Sequence, residues 1–166
     1  FIINCGTGNN GGDGYVIAYL AQQANYQVEV FYSSLPKTPD AQLMMHAAMS
    51  ARVPMQQWVA ELSFEADVIV DALLGTGLNS PGTGIFAGMI QVMNAHYAPV
   101  LAIDIPSGIA ADTGALCGVA IDAELTVTFI GYKLGSFTGE GANRAATATL
   151  VHGAIRADRL PPDGYG

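Results

Sequence analysis

Residues 6–14 read Gly-Thr-Gly-Asn-Asn-Gly-Gly-Asp-Gly, and few folds accommodate such a stretch where it stands. An apolar run, Phe1 to Cys5, leads into it, and a segment from Tyr15 to Ala24 with Val16, Ile17, Leu20, Ala21 and Ala24 at helical spacing leads out. Strand, glycine-rich turn and helix is the arrangement that holds a phosphate. Glycines are expected to let the backbone turn sharply and approach a ligand, while the helix N-terminus offers unpaired N–H groups and a partial positive charge. Asn9, Asn10 and Asp13 exceed what a bare phosphate cradle requires. Left-handed turn geometry is one reading of the two asparagines, and attraction to the positive helix end is one reading of Asp13.

Downstream the pattern alternates. Gln27 to Tyr32 is expected as a second strand, followed after Pro36 and Pro39 by a helix capped by Asp40, with Met44, Ala47, Ala48 and Ala51 as its apolar stripe. Residues 52–64 suggest a short strand and a turn. Asp67-Val68-Ile69-Val70-Asp71 is a buried-strand run, followed by Gly75-Thr76-Gly77 and a helix carrying Ile85, Phe86, Met89, Ile90 and Met93. Further strands are expected at Pro99–Asp104, Leu125–Ile130 and Ala146–Val151. The expectation is an α/β fold: a single three-layer αβα Rossmann-like domain with a mostly parallel sheet.

Two of these strands end in an aspartate and then a glycine-containing turn, at Asp71 and Asp104. C-terminal strand ends of an open parallel sheet share one edge, where ligands bind. The glycine loop, Asp71, Asp104 with Ser107, and Lys133 are therefore expected to face one site. Each aspartate has a plain alternative, capping the turn that follows it; the matching pair suggests a cation ligand and a proton-exchanging group. Lys133 reads equally as a phosphate or aspartate partner and as a solvated loop lysine. Ser107 stands in Pro-Ser-Gly, not in a nucleophile elbow, and His46, His96 and His152 suggest surface or core hydrogen-bonding roles rather than a hydrolase triad.

Gly6, Gly8 and Gly11 satisfy G-x-G-x-x-G, but an NAD-dependent dehydrogenase also needs an acid at the end of the second strand. Here that position reads Tyr32-Ser33-Ser34, with Glu29 in mid-strand. A net charge of −8 from only six Lys and Arg argues against nucleic acid as a partner, though backbone N–H groups can still bind one dinucleotide. No apolar run approaches the roughly 20 residues that span a bilayer, so no membrane association is expected. Cys5 and Cys117 read as small buried hydrophobes in a reducing, cytoplasmic compartment; an organellar one stays open.

Three motifs together resemble the NAD(P)H-hydrate epimerase family, the YjeF N-terminal domain: Gly8-Asn9-Asn10-Gly11-Gly12-Asp13-Gly14, Val70-Asp71-Ala72-Leu73-Leu74-Gly75-Thr76-Gly77, and Ala102-Ile103-Asp104-Ile105-Pro106-Ser107-Gly108. Thr128-Phe129-Ile130 through Lys133 and Gly135 add a fourth. The resemblance implies one such domain over residues 1–166, without the helical segment that members carry ahead of the first strand. It implies interconversion of the R and S forms of hydrated NADH or NADPH, upstream of an ATP- or ADP-dependent dehydratase that is fused or separate. A homodimer and a bound potassium ion are also implied. By motif position, Asn10, Asp71 and Ser107 correspond to potassium ligands. The substrate contacts correspond to Asn9, Asn10, Gly11, Gly12 and Asp13, to Gly75, Thr76, Gly77, Leu78, Asn79, Ser80 and Pro81, and to Asp104, with Lys133 added from the sheet-edge argument. Asp104 is the expected catalytic group. A non-catalytic binding or scaffold module, and an NAD(P) oxidoreductase, are the competing readings.

Overall fold

A computed structural model describes residues 1–74, 84–129 and 148–151. β1 (Ile2–Cys5) has all four side chains buried, because it lies inside a sheet covered on both faces. Around it run β2 (Glu29–Tyr32), β3 (Met55–Gln57), β4 (Ile69–Ala72), β5 (Val100–Ile103), β6 (Leu125–Phe129) and β7 (Ala148–Val151). The spatial order is β3-β2-β1-β4-β5-β6-β7, and the described strands of this sheet pair in parallel, as expected.

Among the described residues three helices connect these strands: α1 (Asn9–Gln23), α2 (Pro39–Ser50) and α3 (Ile85–Ala95). Tyr15, Ala18, Met45 and Ala48 of α1 and α2 pack with Ile3, Cys5, Val30 and Val70 on one sheet face. Met89, Ile90 and Met93 of α3 pack with Ile2, Ile69, Val100 and Ala102 on the other. Alternate residues of β1 thus enter different cores, which makes the three layers. Each fully buried Ile, Leu or Met side chain contributes on the order of 1.5–3 kcal/mol before entropy is subtracted. Gly88 lets Trp58 reach α3, since a Cβ there would lie 2.8 Å from the Trp58 ring.

Several local expectations are corrected. α1 begins at Asn9, six residues before Tyr15, so most of the glycine stretch is helical rather than a loop. α2 is capped by Thr38, whose Oγ1 accepts from the Ala41 amide at 3.2 Å, with Pro39 opening the helix and Asp40 exposed in its first turn. Its fully buried residues are Ala41, Met45, Ala47 and Ala48, whereas Met44 and Ala51 are only half-buried. Cys117 is half-buried, unlike Cys5. His46 is exposed; His96 accepts from the Ala98 amide through Nδ1 at 3.0 Å and meets Phe64 O through Nε2 at 3.2 Å, and His152 lies outside the described residues. Among the described residues no helix is long and apolar enough to cross a membrane.

The strand order places one feature of consequence. From β1 the chain winds outward through β2 to β3, then returns past β1 to β4 and winds the other way. The reversal between β1 and β4 opens a crevice beyond their C-terminal ends, the usual ligand position in such sheets.

Candidate functional site

One wall of the crevice is the β1–α1 turn, now only Gly6, Thr7 and Gly8. Gly8 is the N-cap at φ −98° and ψ −166°, with no side-chain hydrogen bond capping the helix and no acid in its first turn. Gly12 N–H to Gly8 O, at 3.2 Å, is the first intrahelical bond. The N–H groups of Asn9, Asn10 and Gly11 therefore have no intrahelical partner and face an uncompensated positive dipole end.

The glycines serve close approach rather than sharp turning: none of those at 6, 8, 11, 12 and 14 has a positive φ. A Cβ on Gly6 would lie 1.8 Å from Leu73 O, one on Gly11 2.1 Å from Gly6 O, and one on Gly14 2.6 Å from Cys5 Sγ. They let α1 lie against β1 and the end of β4. A Cβ on Gly8 would meet nothing within 4 Å, so that position opens outward. Asn9 and Asn10 are helical, not left-handed.

Asp71 lies wholly buried in β4. Its Oδ1 accepts from Ser107 Oγ at 2.6 Å and from the Leu73 amide at 3.2 Å, while Oδ2 accepts from the Ser107 amide at 2.8 Å. The Leu74 amide donates to Ser107 Oγ at 2.9 Å. Asp71 thus caps its own turn and also braces the chain beyond β5. Burial pushes its pKa up to about 6, against the hydrogen bonds from Ser107 and Leu73 that favour the carboxylate. Gly108 makes the brace possible: at φ 95°, a Cβ there would lie 2.1 Å from Val119 O.

Asp104 follows β5 directly, in left-handed backbone at φ 75°, with its amide donating to Val127 O at 2.6 Å. Left-handed backbone is uncommon for a residue with a Cβ and is found where the surroundings hold it. Across the crevice, Asp13 projects from the second turn of α1. Burial first, and the charge of Asp104 second, raise the Asp13 pKa to about 6. The two carboxylates therefore interact, and a proton entering near pH 6 relieves their repulsion.

The expected potassium ligands can be tested on their remaining hydrogen-bonding capacity. Asn10 is buried, and neither its Oδ1 nor its Nδ2 has a partner. Asp71 Oδ2 accepts one hydrogen bond where a carboxylate oxygen can take two. Neutral and anionic oxygens with spare lone pairs fit a hard cation. Sequence reasoning missed Asn4, which stands beside Asp71 in register between β1 and β4, buried, with Nδ2 unpartnered. Register neighbours project to the same sheet face. Its signal was a single amide within an otherwise apolar strand.

The crevice thus brings together Asn9, Asn10, Gly11, Gly12 and Asp13 with Asp71, Asp104 and Ser107 on three segments of chain. Gly75 through Pro81 and Lys133 lie outside the described residues.

Residues 1–135 match the family described as YjeF-related protein N-terminus. The chain is 41% identical over 142 residues to the NAD(P)H-hydrate epimerase of Limosilactobacillus fermentum, covering 84% of this chain and 68% of that protein. It is 38% identical over 167 residues to the bifunctional NAD(P)H-hydrate repair enzyme Nnr of Escherichia coli K12, covering 99% of this chain but 31% of that protein. The chain therefore spans about a third of that bifunctional relative. The crystal structure of yeast ynu0, YNL200c, superposes with a TM-score of 0.73 at 25% identity, over 95% of this chain and 68% of that one.

Proposed function

The chain belongs to the YjeF-related N-terminal family, and we propose from that premise that it epimerises hydrated NADH or NADPH. The observation that carries the reading is Asp104, held in left-handed backbone at the end of β5 and electrostatically coupled to Asp13. Beside this pair lies an uncapped helix N-terminus suited to a pyrophosphate.

The hydrated carbon adjoins the ring nitrogen, whose lone pair assists departure of the hydroxyl. Asp104 protonates that hydroxyl oxygen as it leaves as water. Return of water to the opposite face, with its proton passing back to Asp104, gives the other epimer and restores the carboxyl group. Asp13 keeps a proton available in the pair, and the N–H groups of Asn9 to Gly11 orient the pyrophosphate. Asn10, Asp71 and Ser107 would hold potassium, which supplies positive charge beside the pyrophosphate when bound. A homodimer, and a dehydratase that consumes one epimer, complete the proposal.

The test starts from a single epimer and follows the other by NMR or chromatography. Asp104→Asn is expected to slow the exchange by roughly 10²–10⁴-fold. An unchanged rate removes Asp104 from the chemistry, and no exchange with the wild-type chain removes the activity itself.

A further inference from the structure

The β2–α2 connection, residues 33–38, is tied by hydrogen bonds to the end of β1, to the β1–α1 turn and to the start of α1, and also to α2 itself. The Ser33 amide donates to Cys5 O at 3.0 Å and the Lys37 amide to Thr7 O at 2.7 Å. Thr38 Oγ1 donates to Asn9 Oδ1 at 2.6 Å, and Gln42 Nε2 to Pro36 O at 3.2 Å. Pro36 and Pro39 bracket this point and restrict the backbone on both sides. Lys37 is thereby fixed beside the Thr7–Gly8 turn, directly ahead of the uncapped end of α1, and it is exposed. Lys37 and Arg52 are the Lys and Arg residues among those described, and Arg52 follows the opposite end of α2. In a chain of net charge −8, Lys37 is the described Lys or Arg that lies on the ligand edge of the sheet.

The end of the second strand is where a parallel dinucleotide-binding sheet tells its ligands apart. A carboxylate there binds the ribose 2′-hydroxyl, and a nearby cation accommodates a 2′-phosphate. Here Ser33 and Ser34 follow β2, and the Ser33 hydroxyl is buried without a partner. Glu29 stands at the far end of the strand, where Gln56 Nε2 donates to it at 2.9 Å. Residues 30–39 contain no acid, and the next one, Asp40, is exposed in the first turn of α2.

We propose that Lys37 is a specificity-determining residue that receives the adenosine 2′-phosphate, so that the chain prefers hydrated NADPH to hydrated NADH. This rests on the epimerase reading above. The measured quantity is the ratio of kcat/KM for hydrated NADPH to that for hydrated NADH, with the full chain. The wild-type ratio is expected above one, falling about tenfold in Lys37→Glu and about threefold in Lys37→Gln, the size of one exposed charge contact reversed or removed. A wild-type ratio of one, or a ratio unmoved by both variants, overturns the proposal while leaving the epimerase reading intact. Should no epimerisation be seen, titration with 2′,5′-ADP and 5′-AMP decides the matter separately. Tighter binding of 2′,5′-ADP that Lys37→Glu abolishes supports the role of Lys37, and equal binding of the two overturns it.

Discussion

Ser107 takes both oxygens of the buried Asp71 carboxylate, its hydroxyl on Oδ1 at 2.6 Å and its amide on Oδ2 at 2.8 Å. The two residues stand 36 positions apart, so this pair joins the end of β4 to the chain beyond β5 at the floor of the crevice. A single hydroxyl thus serves both the fold and the electrostatics of the candidate cation site.

Ser107→Ala removes a hydrogen bond from a buried carboxylate and leaves the Leu74 amide without its acceptor. A cost of about 1–3 kcal/mol is expected in denaturant unfolding. Because that hydroxyl holds the Asp71 pKa down, its loss moves proton uptake by Asp71 above about 6. The same unfolding series, repeated across pH, reads both effects.

Asp13 and Asp71 both have pKa values near 6 in the fold, above the ordinary carboxylate value of 3.8. Between those values the folded state binds more protons than the unfolded chain, so these two groups lower stability as pH rises from about 4 to 6. For wholly buried Asp71 the difference is of the order of 3 kcal/mol. Asp13→Asn is expected to flatten this slope without disturbing the core. A slope unchanged in that variant would show that Asp13 titrates normally.

At the start of α1, stability and binding are expected to oppose each other. Gly8→Asp supplies the missing cap and a charge for the helix dipole, and should raise stability by roughly 0.5–1 kcal/mol. The same carboxylate occupies the N–H groups assigned to the pyrophosphate, so binding of 5′-ADP should fall at least about tenfold. Gly11→Ala, whose Cβ would lie 2.1 Å from Gly6 O, is expected to cost about 1–3 kcal/mol by overpacking. Thermal unfolding and calorimetric titration separate the two effects.

Asp104→Gly relieves left-handed backbone at the position of the proposed catalytic carboxylate. A gain of up to about 1 kcal/mol is expected, together with loss of epimerisation. Removing that charge should also lower the Asp13 pKa, which carbon-detected NMR titration of Asp13 can follow.

Much of this architecture is legible from pattern alone. Apolar runs spaced by helical segments specify strands buried on both faces, because a parallel sheet must be covered twice. The acids at Asp71 and Asp104 are conspicuous at the ends of such runs. Residues 6–14 are harder to read locally: their glycines suggest a loop, but burial against β1 and β4 makes most of them helix. Asp40 is an acceptable cap by composition, and Thr38 takes that role because the helix begins two residues earlier.

By itself, the sequence determined the strand–turn–helix opening, the two acid-terminated strands and the absence of an acid after β2, since each follows from local chemistry and spacing. Only the tertiary structure decided what those residues do to one another. It buried Asp71 under Ser107, set Asp104 opposite Asp13, left Asn10 without a partner and pinned Lys37 beside Thr7. The physical reason is that desolvation, charge coupling and hydrogen-bond satisfaction depend on neighbours that the chain brings together from distant positions, at the point where its winding reverses between β1 and β4.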